Sequence, residues 1–385
     1  MKLSRRDLGL TAVAAAIALL RPHVLEAATE LPLRLRGGVS LAGAEFGTDR
    51  ADFSNVNPGA YGVDYQYPQR KTIEYFANRG LGLLRIPFRW ERIQPRLMQP
   101  LDATELARLR QVVDQAGASG AAVVLDLHNY GRYQILYRGA PKSVIVDEVI
   151  DQQIPVPRAA LADVWRRLAT EFAGNPAVVG LGLMNEPHDL GPVNWQQITQ
   201  SVVTAIRQVN RQARVIVPGD GWSNAHRFEA TNGPRAWIQD PVGRVVYEAH
   251  CYFDADASGK YQRSFASELQ DDPHLADRGA ARLRGFFDWC RRNQVAGFVG
   301  EFGIPGDYPG WRQVLAGALL EMNRAGASGC YWAAGEWWND YPLSLQPRNE
   351  WRDPAPQESL LRKFLENRNA SGQRLSTTIS LLNAS

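Results

Sequence analysis

The chain has 385 residues, of which 45% are hydrophobic, and a formal net charge of +3. It therefore has enough apolar sequence for a large core, and its scattered basic residues lack the clustering typical of a nucleic-acid-binding protein. Its three cysteines, Cys251, Cys290 and Cys330, match neither a disulfide framework nor a metal-binding spacing. We assign no disulfide.

The N-terminus has the features of an export signal. Arg5 and Arg6 precede an apolar run, Leu8–Leu20, that is shorter than the ~20 residues needed to span a membrane. We therefore expect residues 1–28 to be a twin-arginine-type signal, which would place the mature protein in the periplasm or the medium without a stable membrane span. An uncleaved membrane anchor is the alternative interpretation.

Short apolar runs then alternate with amphipathic stretches. The predicted strands are Val39–Ala44, Leu83–Ile86, Ala121–Leu125, Val178–Met184, Val215–Val217, Val245–Tyr247, Gly297–Val299 and Gly329–Tyr331. The predicted helices are Gln69–Asn78, Ala103–Ala118, Arg158–Phe172, Trp195–Asn210, Leu275–Arg292, Trp311–Arg324 and Pro356–Glu366, with only a short helix between Val217 and Val245. Because such alternation produces right-handed parallel units, the pattern predicts one (β/α)8 TIM barrel over residues 29–367, followed by a polar tail, 368–385.

One segment interrupts this alternation. Tyr137–Pro157, between the third strand and its helix, is too long for an ordinary connection in a barrel of this type. We interpret it as an excursion on the carboxyl-terminal face, with a hairpin formed by Val144–Val146 and Ile154–Val156. A loose surface insertion is the alternative.

Polar and aromatic residues follow nearly every predicted strand. In parallel barrels the active site lies at the carboxyl ends of the strands, so these residues are the candidates for chemistry. They are Arg85, Asp126, His128, Asn129, Asn185, Glu186, His250, Tyr252, Glu301 and Trp332.

Two carboxylates stand out within this set. Glu186 follows the fourth strand, where Pro187 should favour an extended backbone, and Glu301 ends the seventh strand between two glycines. In an eight-stranded ring these strands face each other across the mouth. Two carboxylates at ~5–5.5 Å are the arrangement of a retaining glycosidase, with Glu301 as nucleophile and Glu186 as general acid and base.

The motifs at the strand ends resemble those of glycoside hydrolase family 5. The eight recurring active-site residues of that family match Arg85, His128, Asn185, Glu186, His250, Tyr252, Glu301 and Trp332. The segments that resemble fungal endoglucanases of the family are His128–Tyr133, Asn185–Asp189 and Trp332–Trp338.

The resemblance implies hydrolysis of internal β-1,4 bonds in a glucan polysaccharide or oligosaccharide, without a metal or cofactor. We expect Asn129, Trp222 and Trp337 to bind the sugar chain and the protein to act as a monomer. The same chemistry on β-mannan, xyloglucan or a bacterial exopolysaccharide is the open alternative, because the fold and the catalytic pair do not define the sugar.

Elementary electrostatics predicts how the neighbours act. Arg85 and Tyr252 should contact Glu301 and lower the pKa of its carboxyl group, since a cation and a donor favour the ionised form. His250 should orient Glu186 or relay its proton, and His128 should brace Arg85 or a sugar hydroxyl. Asn185 is expected to bond the sugar 2-hydroxyl.

Two other classes of function fit less well. A metal-dependent hydrolase is suggested by His128 and His250, but the first strand lacks the histidine pair that such barrels use. A glycan-binding protein without hydrolytic activity would be expected to lack one of the two glutamates, and both are present.

Overall fold

The computed structural model describes residues 37–370, with side chains up to Phe364. The predicted export signal and most of the predicted tail lie outside these residues. Eight parallel strands close into a barrel, which confirms the predicted fold. They are β1 (Gly37–Leu41), β2 (Leu83–Phe88), β3 (Ala122–Leu127), β6 (Val178–Gly182), β7 (Val215–Pro218), β8 (Val245–His250), β9 (Ala296–Glu301) and β10 (Ser328–Ala334).

Helices surround the barrel at the predicted positions, with ends shifted by a few residues, and two short helices, Trp90–Ile93 and Phe265–Asp271, are additional to the prediction. They are α1 (Arg70–Asn78), α2 (Trp90–Ile93), α3 (Ala103–Ala118), α4 (Arg158–Glu171), α5 (Trp195–Val209), α6 (Phe228–Asn232), α7 (Phe265–Asp271), α8 (Arg278–Asn293), α9 (Pro309–Arg324) and α10 (Glu358–Ala370). The short helix predicted after the fifth barrel strand is α6. It follows a single 3₁₀ turn, Ala225–Arg227.

Local sequence sets the helix boundaries and the buried faces. The Asp102 side chain accepts the backbone N–H of Glu105 and caps the start of α3. Leu109 and Val113 lie four residues apart on the buried face of that helix, where they join the main hydrophobic core between helices and barrel. The core holds the strands in place, so their carboxyl ends converge on one mouth.

The predicted hairpin exists, but it lies earlier in the chain. Strands β4 (Arg132–Tyr137) and β5 (Ala140–Ile145) pair in antiparallel register, so the proposed pairing of 144–146 with 154–156 is wrong. The physical reason is the turn: Arg138 and Gly139 both have positive φ, which suits a tight two-residue hairpin connection.

The hairpin is anchored to the barrel rather than loose. Leu136 donates its backbone N–H to the Asn55 side chain, and the buried Val144 joins the main core. Within residues 37–370, no helix combines the length and the apolar character that crossing a membrane requires.

Candidate active site

Glu186 stands in a sharp turn beyond the end of β6. Its φ is +41°, in the left-handed region, so the extended backbone expected from Pro187 is wrong. The turn is held because the Asn185 N–H bonds the Leu127 carbonyl and the Trp222 N–H bonds the Pro187 carbonyl. A non-glycine residue in this region costs ~1–3 kcal/mol, a kind of strain that concentrates at functional sites.

Glu301 ends β9 level with His250 of β8, immediately after a local shift in the pairing register of these strands. Its carboxylate accepts a bond of 2.9 Å from Arg85 Nη1 and one of 2.8 Å from Tyr252 Oη. Both predicted donors are confirmed. Arginine can only donate, so its contact favours an ionised Glu301, and the tyrosine hydroxyl can donate to the same carboxylate.

Across the mouth, Glu186 Oε1 lies 2.8 Å from His250 Nδ1, which confirms the predicted pairing of the two side chains. One carboxylate oxygen of Glu186 and one of Glu301 lie within 4.8 Å of each other. This separation is close to the ~5–5.5 Å of retaining enzymes and well below the ~6.5–9.5 Å of inverting enzymes.

The same three side chains, Glu186, His250 and Glu301, offer atoms close enough together to hold a metal ion. The Arg85 guanidinium, however, already lies 2.9 Å from the Glu301 carboxylate. A divalent cation would therefore have to bind beside a fixed positive charge.

Burial changes the titration of Glu301. Removal from water raises the pKa of its carboxyl group, and repulsion from Glu186 adds to this, whereas His250 and Arg85 oppose it. The expectation of a lowered pKa is therefore wrong in its net direction. The hydrogen bonds that Arg85 and Tyr252 donate act against this shift, because they favour the ionised carboxylate of Glu301.

Arg85 is fully buried at the centre of this network. Burial opposes its charge, but Asp126, Glu248 and Glu301 outweigh that penalty and raise the pKa of Arg85 above its usual value. Its Nη2 also donates to Asn185 Oδ1 at 2.7 Å. The guanidinium thus contacts both Glu301 and Asn185, the residue that precedes Glu186.

One of the two roles predicted for His128 was to brace Arg85, but the two side chains are not in direct contact. The Nδ1 of His128 lies 2.7 Å from Asp126 Oδ2, and its Nε2 lies 3.1 Å from Asn185 Nδ2. Asp126 in turn lies 3.1 Å from Arg85 Nη1. The brace between histidine and arginine therefore runs through a carboxylate.

Aromatic rings form a track across the mouth. Trp332, in a cis peptide with Ala333, stacks on His128 with ring centroids 5.4 Å apart. Tyr130 contacts the rings of both His128 and His188, and His188 in turn stacks on Trp222 at 4.4 Å, with Trp222 46% exposed. A row of flat rings of this kind suits a bound chain of sugar rings.

The predicted sugar-binding residues have different surroundings. Trp222 presents an open face, but neither Trp222 nor Trp337 is among the residues of the cleft wall. Trp338, the neighbour of Trp337, packs with its ring centroid 5.8 Å from that of Trp332. Asn129 is buried, and its amide already bonds Glu91 and the backbone of Trp90. It holds the base of the β4–β5 hairpin.

The cleft itself encloses about 480 Å³. Several of its residues were not selected from sequence, because they come from loops without a recognisable motif. Its wall is formed by His128, Tyr130, Asn185, Glu186, Tyr252, Ser258, Gly259, Lys260, Gln262, Glu301, Trp332, Tyr341, Pro342 and Leu343.

A parallel barrel with two close carboxylates at the mouth defines the class as a glycoside hydrolase of the retaining type. Comparison with known proteins then identifies the family. The family model for cellulase (glycosyl hydrolase family 5) matches residues 40–338. This chain belongs to that family.

Named relatives agree with this result. The chain is 31% identical to an endoglucanase of Neurospora crassa over 80% of this chain and 72% of the relative. Among solved structures it is similar to a Pseudomonas stutzeri endoglucanase crystallised with cellobiose, with 37% identity, a TM-score of 0.74 and coverage of 86% and 92% of the two chains. A Xanthomonas axonopodis pv. citri endo-β-1,4-glucanase has 34% identity, a TM-score of 0.74 and coverage of 86% and 99%.

Proposed function

We propose that this protein is a retaining endo-β-1,4-glucanase, in which Glu301 is the nucleophile and Glu186 the general acid and base. The observation that carries the proposal is the separation of the two carboxylates, within 4.8 Å, together with their unequal partners. Glu301 receives two donors, Arg85 and Tyr252, whereas Glu186 contacts His250.

The proposed reaction has two displacement steps. Ionised Glu301 attacks the anomeric carbon while Glu186 gives its proton to the departing glycosidic oxygen, which leaves a glycosyl ester on Glu301. Glu186, now a carboxylate, takes a proton from water, and the resulting attack on the anomeric carbon releases the sugar and frees Glu301. Both glutamates return to their starting state, so no other reactant is needed.

The neighbouring side chains have supporting roles in this proposal. Asn185 uses its amide oxygen on Arg85, which leaves its N–H group for the sugar 2-hydroxyl. Trp332 forms the floor under the sugar whose bond is cut. Trp222, stacked on His188, supports the chain on the other side of the cut. Rings on both sides favour binding in the middle of a chain, as an endo-acting enzyme requires.

The test is hydrolysis of a soluble substituted cellulose, with viscosity and reducing ends followed together and β-mannan assayed in parallel. A fast fall in viscosity per reducing end on the glucan alone is expected. Activity on mannan without activity on the glucan would retain the mechanism and overturn the substrate. Absence of activity on every β-glycan would overturn both.

We further propose that residues 1–28 direct export through the twin-arginine route, that the mature chain from 29 to 367 acts as a monomeric domain, and that 368–385 is a polar tail. Replacing Arg5 and Arg6 by lysine should retain the protein inside the cell, and N-terminal sequencing of exported protein gives the cleavage point. Export of the double-lysine variant at the normal level would contradict this route.

A further inference from the structure

Beneath the two histidines of the mouth lies a second layer of carboxylates. Asp126 lies on β3, two residues before His128, which follows the end of that strand. Glu248 lies on β8, two residues before His250. Side chains two apart on a strand point to the same face, so each carboxylate lies directly below its histidine inside the barrel. Both carboxylates are about 1% exposed.

The first of these pairs fixes the orientation of Asn185. Arg85 Nη2 can only donate, so the atom it contacts at 2.7 Å must be the amide oxygen of Asn185. The amide nitrogen then donates to His128 Nε2 at 3.1 Å, which leaves the imidazole proton on Nδ1, facing Asp126 at 2.7 Å. Asp126 thus selects the histidine tautomer that Asn185 needs.

The second pair acts on the opposite glutamate. Glu248 Oε1 lies 3.4 Å from His250 Nε2 and 3.5 Å from Arg85 Nε. The other ring nitrogen of His250, Nδ1, contacts Glu186. A proton held on Nε2 by Glu248 leaves Nδ1 as the atom that exchanges a proton with Glu186.

The chain keeps space free for this second pair. A Cβ atom added to Gly300, the residue before the nucleophile, would lie 1.8 Å from Glu248 Oε1 and 2.9 Å from His250 Nε2. The φ of Gly300 is not in the left-handed region, so the backbone conformation does not require glycine. Glycine is required because any side chain here would collide with the Glu248 carboxylate.

We propose that Asp126 and Glu248 are positioning residues with separate tasks: Asp126 orients Asn185 through His128, and Glu248 orients His250 so that its Nδ1 serves Glu186. The proposal rests on the proposed function. Asp126 therefore supports binding of the sugar 2-hydroxyl, whereas Glu248 supports transfer of the proton to and from the glycosidic oxygen.

The charges around His250 support the second task. Glu186, Glu248 and Glu301 face its ring, and Arg85 and Asp126 lie in the next shell of the barrel. Burial disfavours the imidazolium, but the three glutamates outweigh it and raise the pKa of His250 to about 10. Removing the charge of Glu248 should let His250 lose its proton at lower pH.

The experiment compares Glu248→Gln and Asp126→Asn with Glu358→Gln, a control that removes another buried carboxylate beside an arginine, on the far side of α1. For Glu248→Gln, the alkaline limb of kcat/KM should shift down by about one pH unit. The loss should be largest on aryl cellobiosides with poor leaving groups. An unshifted limb with equal losses on all leaving groups would overturn the role of Glu248.

For Asp126→Asn, the loss should be independent of the leaving group, and the alkaline limb should stay in place. The rate advantage of a normal cellobioside over its 2-deoxy analogue should fall by about tenfold, because the hydrogen bond between Asn185 and the sugar 2-hydroxyl would be lost. A preserved advantage would overturn the role of Asp126. Glu358→Gln should alter neither readout.

A measurement on the unmodified protein needs neither folding of the variants nor a known substrate. The ¹⁵N shifts of the imidazoles should show a proton retained on Nε2 of His250 and on Nδ1 of His128 as the pH rises. The reverse tautomers would overturn the proposal. Correct tautomers with no hydrolysis of any β-glycan would instead remove the proposed function and leave the positions of the protons established.

Discussion

Two cavities lie at opposite ends of the barrel, and they differ more in chemistry than in size. The mouth at the carboxyl ends of the strands encloses about 480 Å³, and the cavity at the amino ends about 400 Å³. The mouth brings together Glu186, His250 and Glu301, with His250 Nδ1 at 2.8 Å from Glu186 and 3.6 Å from Glu301. The base is lined by apolar strand residues such as Ile216 and Phe298, and by charged residues such as Arg291 and Glu321 that lie on helices. Volume alone therefore does not identify a site.

The backbones of the two ends differ as well. At the base, Gly80, Gly120 and Gly326 adopt positive φ just before strands, where a glycine does so without strain. At the mouth, Glu186 and Trp222 adopt positive φ with full side chains. The base thus uses mainly glycine at these turns, with Gln294 before β9 as an exception, whereas the mouth holds Glu186 and Trp222 in this region at a cost in stability. This contrast can be tested from both sides.

The largest effect is expected for Glu301→Gln. The amide keeps the shape, and its oxygen can still accept the bond from Arg85 while its NH2 group donates to Tyr252 Oη, but it cannot attack the anomeric carbon. We expect kcat to fall by at least about 10³-fold, which corresponds to an increase of ~4 kcal/mol in the activation free energy. The thermal unfolding curve should be nearly unchanged. Initial rates on soluble cellulose measure this. Activity within tenfold of the unmodified enzyme would contradict the assignment of the nucleophile.

The next effect is selective. Glu186→Ala should lose about 10²-fold or more on cellulose, whose leaving oxygen needs a proton, but far less in the first step on a nitrophenyl cellobioside, whose leaving group does not. Pre-steady-state release of nitrophenol separates the first step from the second. Equal losses on both substrates would count against Glu186 as the acid.

The mouth should also respond to pH in a defined direction. Burial and Glu186 raise the pKa of Glu301 above its usual value of 4.5, and the protonated form cannot attack. The acid limb of kcat/KM should therefore have an apparent midpoint above 4.5, with activity falling as the pH decreases through it. A limb centred below 4.5 would show that Arg85 and His250 outweigh burial.

The smallest effect on activity is expected at the base. Ile216→Ala removes a nearly buried side chain beside the existing cavity and should cost ~2 kcal/mol of stability, the low end for such changes. Its kcat/KM and pH profile should stay within about twofold of the unmodified enzyme, since distant sites act independently. Thermal unfolding measures the expected loss of stability, and rate measurements check that activity is retained. A large loss of rate at full stability would contradict the proposed difference between the base and the mouth of the barrel.

Much of the site could be predicted because it depends on order along the chain. The alternation of short apolar runs with amphipathic stretches predicts the barrel. The barrel in turn places Glu186 and Glu301 at one mouth. The period of two along a strand could also have indicated Asp126 below His128 and Glu248 below His250. The position of the hairpin was missed because its signal, Arg138-Gly139, is a two-residue turn with no apolar pattern.

By itself, then, the sequence determined the fold class and the presence of Glu186, Glu301 and their nearest donors at one mouth, because each is carried by residues adjacent to a strand end. Only the tertiary structure decided the direction of the pKa shift of Glu301 and the burial of Asn129, whose amide bonds Glu91. The reason is that desolvation and packing add contributions from neighbours distant in sequence. Arg85, which bonds Glu301, stands 216 residues before it.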